Sequence, residues 1–213
     1  MKTDDLISML ATGVTPADPR LPARRFATAL AIGAAGALLL MAALLGMRRD
    51  LAEVALTPLF WAKLALPLAL AIGALATLAR LARPGAHAGR PSLLIAAPVA
   101  VAWIAALAVL AAAPAGDRLA LVLGSTWQVC PWLIALLSVP GLVAILAALR
   151  RLAPTRLALA GGVGGLLSGA VATLVYCLHC PEMGVPFWSA WYLLGMLVPS
   201  AAGAAIGPRV LRW

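Results

Sequence analysis

The sequence predicts an all-α polytopic membrane protein with six transmembrane helices and both termini cytoplasmic. Three observations carry this expectation. First, 64% of the 213 residues are hydrophobic and only 11% are charged. A soluble domain of this size cannot hide that much apolar surface, because a small body has too much outside for its inside. Second, the apolar residues fall into six runs of about 20 residues. At about 1.5 Å per residue, each is long enough to cross a hydrocarbon core of ~30 Å. Third, the basic residues behind the net charge of +9 sit in short loops between these runs rather than on a polar domain. They therefore read as topology signals and not as a nucleic-acid surface, and no direct nucleic-acid contact is expected.

The segment 1–25 is the one sizeable polar stretch, expected as a cytoplasmic head. It is not expected to act as a cleavable signal: it carries Asp4 and Asp5, and no short apolar run with a cleavage site follows. Asp4-Asp5-Leu6-Ile7-Ser8-Met9-Leu10 predicts a short amphipathic helix capped by Thr3 or Asp4. The acids suit its positive N-terminal dipole, and Leu6, Ile7, Met9 and Leu10 supply the apolar side. Pro16, Pro19 and Pro22 end it and stiffen the tether.

The membrane domain, 26–213, then follows in order. The spans are expected near Phe26–Met47, Leu59–Ala79, Ser92–Ala113, Cys130–Leu149, Leu157–Leu178 and Ser189–Gly207. Lys63 falls in the first turns of the second span, where its long stem is expected to snorkel to the interface. His87 falls in a loop and is expected to be solvated. Lys2, Arg20, Arg24, Arg25, Arg80, Arg83, Arg90, Arg150, Arg151, Arg156, Arg209 and Arg212 fall on one side. Arg48, Arg49, Lys63 and Arg118 make up the rest of the 16 basic residues. The positive-inside rule therefore puts both termini in the cytoplasm. Gly161, Gly165 and Gly169 in the fifth span, and Gly203 and Gly207 in the sixth, recur every four residues. Small residues at that spacing let helix backbones approach closely in lipid.

With this topology, all three cysteines lie at the non-cytoplasmic surface. Cys130 begins an even span directly before Pro131, and Cys177 and Cys180 end an odd one in Tyr176-Cys177-Leu178-His179-Cys180-Pro181-Glu182. Pro131 suits the first helical position, which makes Cys130 the expected N-cap. If spans four and five pack as a hairpin, Cys130 and Cys180 come within disulfide reach, and an oxidising periplasm would preserve the bond. Alternatively, Cys130, Cys180 and His179 are tentative ligands for a soft metal, Zn or Cu(I), with Met183 a further soft donor. Cys177, in the last turn of an apolar span, reads first as a small packed thiol. Its Cys-x-x-Cys spacing with Cys180 lacks a thioredoxin-like setting, and Pro181 stands where haem attachment needs His.

Together, Lys2-Thr3-Asp4-Asp5-Leu6-Ile7, Cys130-Pro131, Cys180-Pro181-Glu182, Trp191-Tyr192 and Gly207-Pro208-Arg209-Val210-Leu211-Arg212-Trp213 resemble the NrsF-type membrane anti-sigma factors over essentially the whole chain. That resemblance implies a six-span inner-membrane protein that negatively regulates an extracytoplasmic-function sigma factor. Asp4, Asp5, Leu6, Ile7 and Leu10 are the head residues expected to meet this partner, and membrane lipid surrounds the rest. The resemblance also implies that an extracytoplasmic cysteine pair senses metal or oxidative stress. By position that pair is Cys130 and Cys180, and Cys177 is additional to the pattern. Two other classes compete. A small metal or solute transporter would need polar groups buried along its path, and the spans carry almost none. A membrane thiol oxidoreductase working with a quinone would use the three thiols, but no cofactor motif is present.

Overall fold

A computed structural model of the protein describes residues 3–12, 20–83, 89 and 92–212. Lys2, Pro16, Pro19, His87, Arg90 and Trp213, named above, lie outside the described residues. The described chain forms α1 (Thr3–Ala11), α2 (Leu21–Leu44), α3 (Leu51–Val54), α4 (Pro58–Leu81), α5 (Leu93–Ala112), α6 (Arg118–Leu123), α7 (Cys130–Arg150), α8 (Leu157–Tyr176) and α9 (Val185–Val210). Among the described residues, six of these (α2, α4, α5, α7, α8 and α9) are long and apolar enough to cross a membrane.

Proline and glycine set most helix ends. Pro22, Pro58, Pro131 and Pro186 occupy the first turns of α2, α4, α7 and α9. A proline there loses nothing, because the first-turn N–H groups have no helical partner anyway. This moves two expected boundaries. Pro22 opens α2 rather than breaking the head, so the first span begins at Leu21 and not Phe26. Pro186 opens α9 at Val185, ahead of the expected Ser189. At the far end of α2, Gly46 takes φ +76°. The N–H groups of Leu45 and Gly46 both donate to Met41 O at 2.9 Å, a glycine stop that side chains with a Cβ adopt with difficulty.

Helix α8 is the axle of the bundle. In its most apolar stretch 72% of residues are buried inside protein, against 11% for α5, which lies outermost against α4 and α9. The closest pairing is α8 with α9, followed by α7 with α8. The α8–α9 seam is glycine on glycine. A Cβ placed on Gly161 would collide with Gly203 O, one on Gly165 with Pro199 O, and one on Gly203 with Gly161 O. Helices α2 and α7 repeat the device at Gly33 and Gly141, where a Cβ on Gly33 would sit 2.8 Å from the Gly141 Cα.

The six long helices alternate in direction, so the bundle has two unlike ends. At one end are the turns 46–57, 113–129 and 177–184. At the other, Phe26, Leu81, Leu149 and Leu211 share a core cluster, and Arg25 Nη1 donates to Arg151 O at 2.6 Å. Among the described residues that second end carries Arg20, Arg24, Arg25, Arg80, Arg83, Arg150, Arg151, Arg156, Arg209 and Arg212. All four acidic residues of the bundle, Asp50, Glu53, Asp117 and Glu182, are at the first end. The head helix α1 begins at Thr3, so Thr3 and Asp4 occupy its first turn and not its cap. It buries no residue.

Candidate functional site

The three cysteines meet at the acid-bearing end, where α7 begins and α8 finishes. Cys130 is the first residue of α7. Val129 takes the N-cap expected for Cys130, and the Cys130 N–H donates to Thr126 O at 3.0 Å. Tyr176 ends α8 and Cys177 caps it. The turn then tightens: Leu178 N–H donates to Val175 O, and His179 and Cys180 both donate to Tyr176 O. All three cysteines are free thiols with no exposed surface. Packing of α7 on α8 turns the side chain of Cys130 toward that of Cys180, and the two interact directly. The hairpin argument made from sequence thus brings this pair together.

Around the thiols lies an aromatic cage. The Tyr176 and Tyr192 rings meet edge to face at 6.0 Å. The Tyr192 hydroxyl lies beside Cys177 and Cys180, but it is buried without a partner at hydrogen-bond geometry. Trp188 Nε1 and Thr126 Oγ1 are likewise buried and unpartnered among the described residues.

Sequence reasoning placed Lys63 in interfacial water, and the structure corrects this. Lys63 is fully buried. Its Nζ donates to Cys180 O at 2.9 Å and to Glu182 O at 2.7 Å, and it stands 5.6 Å from the centre of the Tyr192 ring. A short reach sideways satisfies the ammonium, because the turn after α8 exposes carbonyls that no helix uses. Arg48 was also missed. Its Nη1 donates to the same Cys180 carbonyl at 3.2 Å and approaches Met183 Sδ at 3.7 Å, while its Nε and Nη2 grip Asp50 at 2.7 Å each. Two cations, Lys63 on α4 and Arg48 in the loop after α2, therefore converge on one main-chain oxygen. No local sequence pattern announces this, since Lys63 and Cys180 are 117 residues apart.

The environments of the two neighbouring cysteines differ. The interaction with Cys130, aided by the Lys63 ammonium, draws the Cys180 thiol below its ordinary range, although burial opposes the shift. Burial dominates at Cys177 and pushes its thiol up to about 12. The two thiols thus differ in electrostatic setting although both are buried.

The remaining predicted residues are held as framework. His179 Nδ1 is 2.9 Å from Gly46 O, and its ring lies 5.8 Å from that of Tyr176, so it ties the turn to the end of α2. Among the described residues, no group of three or more His, Cys, Asp or Glu is disposed to hold a metal ion. Glu182 reaches the opposite way. Its Oε1 accepts from the N–H of Ser125 at 2.7 Å and from the Ser125 hydroxyl. Gly124, at φ +55°, lets it in: a Cβ there would stand 2.7 Å from the Phe187 ring and 2.8 Å from the Glu182 carboxyl carbon. Asp4, Asp5, Leu6, Ile7 and Leu10 are all exposed on α1, far in sequence from this cluster, with Leu10 68% accessible.

Comparison with known proteins gives this arrangement its context. The family model described as "Negative regulator of sigma F" matches residues 10–213. The chain belongs to this family of negative regulators of sigma F. It is 49% identical over 213 residues to a probable anti-sigma-F factor NrsF of Azospira oryzae, covering the whole of both chains. It is 38% identical over 215 residues to the anti-sigma-F factor NrsF of Caulobacter vibrioides, again over both full lengths. No solved structure matches. A membrane regulator of this family is not an enzyme, and membership favours regulation over both transport and thiol oxidoreduction.

Proposed function

We propose that the chain is a bacterial inner-membrane anti-sigma factor. Its head holds an extracytoplasmic-function sigma factor in the cytoplasm, and the Cys130–Cys180 pair, on the periplasmic side, sets whether it lets go. The observation that carries this reading is the direct meeting of those two buried thiols at the end of the bundle opposite the arginines. The arginine asymmetry supports a cytoplasmic position for the head and both termini. Exposed apolar Leu6, Ile7 and Leu10 beside Asp4 and Asp5 suit a helix laid into a groove on a partner. Sigma F is the partner named for the relatives, and by kinship it is the partner class for this chain.

The signal we favour is oxidation. The Cys180 thiolate attacks an electrophilic oxidant such as a disulfide reagent. The Cys130 thiol then displaces the leaving thiolate to close a Cys130–Cys180 disulfide, with both thiol protons released and the reagent reduced by two electrons. Joint ligation of Zn or Cu(I) by the same two sulfurs is the other trigger. The Nδ1 of His179 is engaged by Gly46 O, so His179 would join through Nε2. Either way the two cysteines act as one unit. Cys130→Ser and Cys180→Ser should each cut stress-induced, sigma-dependent transcription by about tenfold, and the double replacement should be no worse than either single one. Cys177→Ser should respond within about twofold of the parent. A normal response in both single variants with a lost response in Cys177→Ser would refute the pairing.

A further inference from the structure

We propose that Lys63 is the positioning residue that couples the cysteine site to α4, so that rearrangement at Cys180 is delivered to the arginine-bearing end of the bundle. This rests on the reading of Cys130 and Cys180 as the input. Three observations on the described residues carry it.

The first is the way the ammonium is held. Lys63 is fully buried, its partners are the Cys180 and Glu182 carbonyls and the Tyr192 ring, and no carboxylate among the described residues lies within ion-pair distance of it. A buried charge whose hydrogen bonds go to two main-chain oxygens of one turn cannot be left behind when they move, because an unpaired buried ammonium is strongly unfavourable. Replacing the non-bonded thiol contact by a covalent S–S bond draws Cys180 closer to Cys130, and a shift of that residue carries its carbonyl with it. Lys63 follows.

The second is the helix it sits on. Pro67 lies inside α4, four residues after Lys63. Proline has no N–H, so the helical bond to the Lys63 carbonyl is missing, and the ladder is interrupted at the residue that bears the charge. A sideways pull on Lys63 therefore meets the helix at its softest point.

The third is what lies at the other end. Just past the end of α4 at Leu81 comes Arg83, which with Ala79 and Leu75 of α4 faces Pro22, Phe26 and Leu30 of α2 across a groove of about 410 Å³. Helix α2 begins where the head's tether ends. The seam between α2 and α4 is open, whereas α8–α9 is closed by glycines, so α4 has room to move there. Arg48 also donates to the Cys180 carbonyl, so removing the lysine leaves that oxygen a partner and the turn a support.

The test is hydrogen exchange on the full chain in lipid nanodiscs, before and after oxidation with diamide, with thiol loss counted separately by alkylation. In the parent chain, oxidation should raise exchange several-fold at residues 60–67 and 79–83. In Lys63→Met, treated with diamide until alkylation shows both thiols lost even if this is slower, α4 should no longer respond. Lys63→Arg, which keeps a cation, should retain the response. An α4 in the parent chain that is indifferent to oxidation overturns the proposal, and that arm decides even if Lys63→Met fails to accumulate. So does a Lys63→Met chain whose α4 responds like the parent. Failure of the parent's Cys130 and Cys180 to oxidise at all would instead remove the input reading, and this coupling with it. None of these readouts requires the sigma factor, so a wrong partner assignment leaves them intact.

Discussion

At the scale of single residues, two cysteines three positions apart have opposite chemistry because they face opposite surroundings. Cys177 is buried at the end of α8, and that burial outweighs the nearby Lys63 ammonium and Tyr192 hydroxyl and holds it as a thiol. Cys180, one turn later, shares its space with Cys130 and the Lys63 ammonium, which favour its thiolate. The sign follows directly. A lowered pKa keeps Cys180 ionised at pH values where an ordinary thiol is protonated, so it should lose reactivity only as pH falls below the usual thiol range. Cys177, raised to about 12, should stay inert at neutral pH. Mass-spectrometric mapping of alkylation by a small membrane-permeant reagent, from pH 6 to 9, checks this. Faster labelling of Cys177 than of Cys180 would contradict it. Much of this site was legible in the sequence: that the three cysteines gather at one end of the bundle, and that Cys130 returns to Cys180. Lys63 was not. A lysine early in a span has an easy route to water, and what diverts it inward is a pair of carbonyls from a turn more than a hundred residues away. Arg48 was hidden for the same reason, because a loop arginine looks alike whether it faces solvent or a partner turn.

At the scale of elements, the glycine periodicity announced close packing, and the structure shows what it packs. Gly161 and Gly165 face Gly203 and the Pro199 carbonyl, with no room for a methyl group. The sequence told that these helices approach closely but could not name the facing backbone, because spacing fixes a face and not its neighbour. Gly165→Val should destabilise the bundle by about 1–3 kcal/mol through overpacking, or more if α9 cannot shift. Thermal unfolding in detergent should show it as a lower midpoint. Gly116→Ala, at a site with open space around it, serves as a control within about 0.5 kcal/mol. An unchanged midpoint in Gly165→Val would mean that the seam is looser than described. The helix boundaries moved for a plain physical reason. Proline was read as a breaker at Pro22, but in the first turn it is a starter, and hydropathy alone does not tell the two apart.

At the scale of the whole molecule, the bundle separates charge: ten described arginines at one end, and the acids with the thiols at the other. An even number of long helices brings the start of α2 and the end of α9 to the same end. The positive-inside rule then turns this geometry into an orientation. Reporter fusions after Arg83, Arg151 and Trp213 should read cytoplasmic, and fusions near Asp117 and Met183 periplasmic. A cytoplasmic signal at Met183 would invert the account. The apolar side of the head helix, Leu6, Ile7, Met9 and Leu10, is exposed, and none of the described residues of the bundle covers it.

The most direct test is to capture the tagged full chain from membranes, with and without prior oxidation, and to quantify the sigma factor that comes with it. The parent chain should retain the sigma factor when reduced and lose most of it, about tenfold, after diamide treatment. Cys130→Ser and Cys180→Ser should retain it under both conditions, and replacing Leu6 and Ile7 by Ser should lose it under both. A sigma factor that stays bound to the oxidised parent chain, or that leaves the serine variants just as readily, would contradict the claim that these two thiols govern the hold of the head.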